Sequence, residues 1–194
     1  MNTFMHKNLK KIFYFINEFI EDDINKLNKN IAIIYRNYNT NINKDLIRKI
    51  RDFCKANKRK FYISYYYKLA FELNLDGIYI PAFDKSQIIN KLLLTKKFEI
   101  LGSAHNLKEV KTKEKQGCTT IFLSPIFKVK KTNNHLDIIK FNILASNTNR
   151  AIIALGGLNL NNLKKINLTK AVGFASISLI KKNGLNKFRP FYKF

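Results

Sequence analysis

Eight short apolar runs recur along the chain, and the stretches between them carry apolar residues at helical spacing. The runs are Lys11–Asn17, Ile31–Arg36, Lys60–Ser64, Gly77–Pro81, Phe98–Ser103, Thr119–Leu123, Ala151–Leu155 and Val172–Ser176. They are rich in β-branched and aromatic residues, and their mostly continuous apolar character predicts strands buried on both faces. Helices are predicted over Glu18–Lys29, Asp45–Ala56, Tyr66–Leu75, Lys85–Leu94, Leu107–Gln116, Asp137–Ser146 and Asn161–Leu168, with a closing helix from Leu179. Leu107–Gln116 reads as a charged, exposed helix with Gly117 in position to cap its end. Strand and helix thus alternate through eight units with no long interruption. Right-handed crossovers then close such a chain into one α/β domain, a (β/α)8 or TIM barrel. The domain is expected to span residues 1–194, with a lead-in over 1–10 and a basic aromatic tail over 183–194. An open doubly wound sheet is the runner-up. It is disfavoured because no strand leads into a G-x-G-x-x-G turn and eight units divide the length evenly.

Charge is the loudest feature of the composition, with 36 Lys and Arg against 13 Asp and Glu and a net +23. Such a balance points to nucleic acid or anionic membranes when it is concentrated. Here lysine is spread over every segment alongside abundant Asn and Ile, so a solvated surface explains it and no specific nucleic-acid partner is expected. No apolar run reaches the ~20 residues of a membrane span. The N-terminal segment lacks a signal-peptide h-region and cleavage site. Cys54 and Cys118 stand far apart without metal or redox spacing, which suits a reducing cytoplasm.

In a barrel of this type chemistry sits at the C-terminal ends of the strands, with a phosphate site after strands seven and eight. That rule selects Gly156 and Gly157, where no Cβ obstructs an anion, and then Ile177 and Ser178 at the start of the last helix. A plain strand-to-helix turn and a helix-capping serine are the alternatives. Other strand ends supply Arg36, a ligand for an anion or half of an ion pair, and Ser103. His105 is an acid–base candidate or a hydrogen-bonded structural residue. Asp84 either caps a helix or holds magnesium. Lys130 and Lys131 lie on a polar loop able to close over a diphosphate.

Five segments together resemble the thiamine phosphate synthases and their thiazole tautomerase relatives, from about Lys11 to Lys181. They are Asp76-Gly77-Ile78-Tyr79-Ile80, Gly102-Ser103-Ala104-His105, Ser124-Pro125-Ile126-Phe127, Ala154–Asn159 and Gly173–Ile180. The resemblance implies joining of hydroxymethylpyrimidine diphosphate to thiazole phosphate, with release of pyrophosphate and use of Mg2+. It implies that Gly157, Ile177 and Ser178 hold the thiazole phosphate. It also implies that Arg36, Ser103 and Lys130 face the diphosphate and that Asp84 is a magnesium ligand. Relatives of this barrel type often pair, so a homodimer is an expectation. The chain departs from the family pattern at Ile34 and Tyr38 around the strand-two arginine, and at Ser64-Tyr65 in place of an Asn-Asp pair. It departs again at Val129–Thr132, and Pro125 replaces the histidine of the tautomerases. A divergent synthase is therefore the first reading, with Lys131 and the tyrosines substituting for lost diphosphate contacts. A barrel that binds thiazole phosphate or thiamine phosphate without turnover is the second. Nucleic-acid binding through bulk charge is the third.

Overall fold

The computed structural model describes residues 11–38, 41–86, 98–130 and 133–176. Eight strands alternate with helices: β1 (Lys11–Ile16), β2 (Ile31–Tyr35), β3 (Phe61–Ser64), β4 (Gly77–Ile80), β5 (Glu99–Ala104), β6 (Thr120–Leu123), β7 (Ala151–Leu155) and β8 (Gly173–Ser176). Each strand pairs in parallel with the next, and β8 pairs with β1 through Lys11↔Gly173 to Tyr14↔Ser176, which closes the barrel. The predicted (β/α)8 architecture is the one observed.

Alternation within each strand explains why the runs look apolar throughout. Phe13, Phe15, Ile34, Tyr62, Tyr79 and Phe122 point into the barrel and form its inner core. Ile12, Tyr14, Ile33, Ile63, Ile78 and Ile121 point outward and pack in the layer beneath the helices. Inside, the aromatic rings meet edge to face, with Phe13–Phe122 and Phe15–Tyr79 both at 5.0 Å between centroids and Tyr79–Phe122 at 5.5 Å. Such pairs add ~0.5–1.5 kcal/mol beyond the area they bury. The barrel is a packed core, not a pore.

The helices are α1 (Glu21–Asn25), α2 (Lys44–Ala56), α3 (Tyr67–Glu72), α4 (Leu107–Lys115) and α5 (Asp137–Ser146), with a 3-10 helix over Leu163–Leu168. Several are shorter than predicted, and asparagine is the common reason, because its side chain offers the backbone a competing partner. The Asn28 carboxamide accepts from the Asn30 N–H just beyond α1. Asn74, at φ +52°, stops α3 in the left-handed conformation that asparagine tolerates. Asn159 Oδ1 accepts from the N–H groups of Asn161 and Asn162 and ties off a turn where the seventh helix was expected to begin. Lys85 and Ser86 are not helical, and the rest of the helix expected over 85–94 lies outside the described residues, as do the lead-in and the tail.

One expectation is corrected outright. Helix α4 is not merely an exposed charged helix, since Val110 and Lys113 are both 0% exposed. The Lys113 ammonium donates to the carbonyls of Pro81 and Asp84, each at 2.7 Å, and to Gln116 Oε1 at 2.8 Å. Burial lowers the pKa of this amine, opposed by Cys118, Asp84 and Glu109. A second cation, Arg59, is also buried. Its guanidinium donates to the carbonyls of Asn28 and Ile31 at 2.8 Å and of Leu27 at 3.1 Å, closing the loop between α1 and β2. Both side chains satisfy main-chain carbonyls that would otherwise be orphaned.

Tyr65, immediately after β3, sits at φ +76° and is 54% exposed. An L-residue held there costs ~1–2 kcal/mol, and asparagine tolerates the position. Tyr65→Asn is therefore expected to stabilise the protein by about 0.5–1 kcal/mol. Urea denaturation checks this; an unchanged or lower midpoint would count against strain at this residue.

Candidate functional site

The C-terminal ends of the strands surround a cleft of about 310 Å3, lined by Arg36, Tyr38, Tyr79, Phe83, Ser103 and Ser124 among others. Two larger clefts, of about 430 and 380 Å3, open around Arg59–Phe61 and around Lys11–Phe13. Those residues mark the opposite ends of the strands, where barrels place stability rather than chemistry. The smaller cleft is therefore the candidate.

Arg36 follows directly from β2, and its backbone N–H is fixed to the Ile16 carbonyl at 2.7 Å. Its guanidinium lies 4.9 Å from the centre of the Phe15 ring and 5.9 Å from that of Tyr38. Such stacking orients a guanidinium without neutralising it. Among the described residues no carboxylate forms a salt bridge with Arg36. The ion-pair alternative thus finds no partner there, and the positive charge is left facing the cleft.

Below Arg36, Tyr79 projects from β4 into the barrel. Burial raises the pKa of its hydroxyl, while hydrogen bonds with Ser103 and Arg36 pull the other way. The phenol accordingly stays protonated, and all three side chains line the cleft. Tyr38 stands at the rim, its hydroxyl 3.4 Å from Ser64 Oγ and its ring 5.7 Å from that of Phe83. Burial raises the Tyr38 pKa too, with Ser64 and Arg36 opposing. Arg36 and Ser103 are thereby gathered on one aromatic floor.

His105 also borders the cleft. Its Nδ1 lies 2.8 Å from Glu109 Oε2, and the same carboxylate oxygen accepts from the His105 backbone N–H at 2.7 Å. With Asn106 Oδ1 accepting from the Glu109 N–H, this is a capping arrangement that starts α4. A carboxylate on Nδ1 places the proton there and leaves Nε2 as the acceptor in the neutral ring.

Asp84 lies beyond Phe83, and its Oδ1 accepts from the Ser86 N–H at 2.8 Å. It does not line the cleft. Among the described residues no group of three His, Cys, Asp or Glu side chains is arranged to hold a metal. Magnesium, however, is often held by one or two carboxylates, with waters and substrate phosphates completing the octahedron. The described residues thus offer Asp84 as a single carboxylate beyond the cleft rather than a formed metal site. Lys130 is exposed on the loop between β6 and α5 and is not among the residues lining the cleft. Lys131, Ile177 and Ser178 lie outside the described residues.

Gly156 and Gly157 end β7 with φ of +89° and +72°. The space a Gly157 Cβ would need is filled by the main chain, with the Phe127 carbonyl oxygen at 2.3 Å and that of Lys128 at 2.8 Å. A Gly156 Cβ would meet Pro125 at 2.9 Å and Ser124 Oγ at 3.1 Å. On the side a Cβ would occupy, the pair thus admits the β6–α5 loop itself. Their turn adjoins the cleft through Leu155 and Ser124, both of which line it. Tyr79, Phe83 and Glu109 were not singled out from sequence as site residues. The period-two pattern of β4 could have found Tyr79, because it places that ring inside the barrel near its mouth.

A closed parallel barrel with an arginine stacked over an aromatic floor at its C-terminal mouth defines an α/β-barrel protein with an anion-receptive site. The chain belongs to the thiamine monophosphate synthase family (TMP-TENI), whose model matches residues 22–180. It is 31% identical to a thiamine-phosphate synthase of Prochlorococcus marinus over 137 residues, covering 69% of this chain but only 38% of that protein. A thiamine-phosphate synthase of Pelagibacter ubique is 28% identical over 154 residues, covering 78% of this chain and 73% of the relative. The structure of thiamine phosphate pyrophosphorylase from Pyrococcus furiosus superposes with a TM-score of 0.76 at 17% identity, covering 95% and 96% of the two chains. At that identity the likeness is one of fold.

Proposed function

We propose that this chain is a thiamine phosphate synthase acting in the cytoplasm, joining hydroxymethylpyrimidine diphosphate to thiazole phosphate. The family match over residues 22–180 carries the reading, and Arg36 at the cleft supports it. The bond that breaks joins the pyrimidine methylene carbon to a diphosphate oxygen, which departs with the electron pair as pyrophosphate. The thiazole nitrogen donates its lone pair to that carbon and forms the new C–N bond. Negative charge grows on the departing oxygen, so a positioned cation stabilises the transition state more than the ground state.

In this proposal Arg36 supplies that cation, preoriented on Phe15 and Tyr38. Tyr79 lies at the base of the cleft beside Arg36, Ser103 faces the diphosphate with it, and Lys130 and Lys131 approach the diphosphate from the β6–α5 loop. Gly156 and Gly157, with Ile177 and Ser178, receive the thiazole phosphate, and His105 contributes at the rim. Asp84 would hold magnesium, which when bound neutralises charge on the diphosphate.

Incubating the purified protein with both substrates and magnesium is expected to yield thiamine phosphate and pyrophosphate in equal amounts. No product under conditions that sustain another family member would sink the proposal, and calorimetric binding of thiazole phosphate without turnover would select a binding protein instead. Asp84→Ala is expected to raise the magnesium concentration for half-maximal rate by at least ~10-fold, the lower end of what even outer-shell partners of a metal contribute. An unchanged magnesium dependence would remove Asp84 from the metal's partners.

A further inference from the structure

The loop after β4, Pro81–Ser86, carries both Phe83 at the rim of the cleft and Asp84. It is held from below by two buried side chains of α4. Lys113 reaches the carbonyls of Pro81 and Asp84, while Gln116 Nε2 reaches those of Asp84 at 3.0 Å and Ser86 at 2.8 Å. Gln116 Oε1 in turn accepts from Lys113. Every donor of the pair is thereby used. An ammonium has three N–H groups and here faces three acceptors, and both amide hydrogens of Gln116 are spent on carbonyls. The carboxamide orientation is fixed, since its nitrogen must face the two carbonyls. Because all three groups around Lys113 are acceptors, only the ammonium form satisfies them.

Two further features show that the tether is built into the barrel. Gly102 of β5 lies where the lysine stem crosses the sheet, and a Cβ there would stand 2.9 Å from Lys113 Cδ and 2.7 Å from Cys118 Sγ. The strand thus leaves a groove for the lysine stem. Lys113 is 0% and Gln116 1% exposed, so both side chains are withdrawn from water. A buried ammonium that forms no salt bridge among the described residues is a costly way to fill space, and an apolar side chain would pack there at lower cost. Charge-assisted donors instead fix the carbonyls, and with them the backbone that carries Phe83 and Asp84.

We infer that Lys113, with Gln116, is a positioning residue that sets the β4 loop and through it the diphosphate end of the site. The functional half of this inference rests on the proposed synthase reading. Lys113 touches no substrate in this scheme. It acts through the loop.

The test compares the wild-type chain with Lys113→Met and with Gln116→Glu. The second keeps the volume and the acceptor for Lys113 but turns a carboxylate oxygen towards the carbonyls of Asp84 and Ser86, and it serves if the methionine variant does not fold. Hydrogen exchange is expected to speed up at the amides of residues 82–86 in the variants while β1 and β7 stay protected. Calorimetry with magnesium pyrophosphate and, separately, thiazole phosphate is expected to show about a tenfold loss for the first and less than twofold for the second. Unchanged exchange at 82–86 in a folded variant, or equal losses for both ligands, would overturn the inference. If the wild type binds neither ligand, the synthase reading fails, and the exchange measurement still decides whether Lys113 and Gln116 hold the loop.

Discussion

Arg36→Met is expected to lower kcat/KM for thiamine phosphate formation by roughly 10²–10³-fold, the range seen when one preorganised electrostatic donor is removed. Methionine keeps the aliphatic bulk over Phe15, so the change isolates the charge. The size follows from the surroundings. The guanidinium is oriented by rings at 4.9 and 5.9 Å and is held by no salt bridge among the described residues. Its field is therefore available to an anion in the cleft. If the interaction is made chiefly as charge develops on the leaving oxygen, kcat and kcat/KM fall together; a rise in KM alone would mean uniform binding. Arg36→Lys should restore only part of the loss, because an ammonium lacks the planar fork and stacks less well. A decrease of less than threefold for Arg36→Met would remove Arg36 from the proposed mechanism.

Gly157→Ala is expected to cost about 2–5 kcal/mol of stability, combining a left-handed alanine with overpacking. The φ of +72° already penalises any L-residue, and the new methyl would lie 2.3 Å from a carbonyl oxygen of the neighbouring loop. That oxygen belongs to the main chain, so no rotamer change relieves the clash. The Phe127 N–H also donates to the Gly156 carbonyl and the Ile126 N–H to that of Leu155, so the loop cannot retreat freely. Urea denaturation measures the loss, and a cost below 1 kcal/mol would show that the β6–α5 loop yields easily. In the proposed site a variant that still folds should lose affinity for thiazole phosphate more than for pyrophosphate.

The barrel was legible because its signal is redundant. Eight runs such as Ile31–Tyr35 and Ala151–Leu155 are apolar on both faces, and only a covered parallel sheet accommodates that many of them. The strand ends followed from the runs, which is why Arg36 and Ser103 could be named before their geometry was known. What stayed hidden was the buried polar interior. Lys113 and Arg59 look like any of the 36 basic residues in the chain, and nothing local tells a lysine that crosses a sheet from one that faces water. Their burial depends on carbonyls from other segments, and those partners are set by the closed fold. The Gly156–Gly157 pair shows a related limit. Sequence shows that a Cβ is excluded but not what excludes it, and here it is the Phe127 carbonyl. Tyr65 shows a third kind of limit, because nothing local announces that a tyrosine will take a φ of +76°, a conformation asparagine tolerates better.

Closure of the sheet through Gly173 and Lys11 also governs how the protein is made. A β-carbon at Gly173 would stand 1.8 Å from the Lys11 carbonyl oxygen, so the main chain of β1 fills the space beside that residue at the seam. The two sides of that seam come from opposite ends of the described chain, and β1 therefore waits through most of synthesis for its last neighbour. During that interval β1 and the newest strand carry unpaired edges, the feature that recruits other chains. The chain as a whole carries 36 Lys and Arg against 13 Asp and Glu, and like charge keeps half-made copies apart. A net charge of +23 is thus expected to slow association of unfinished barrels.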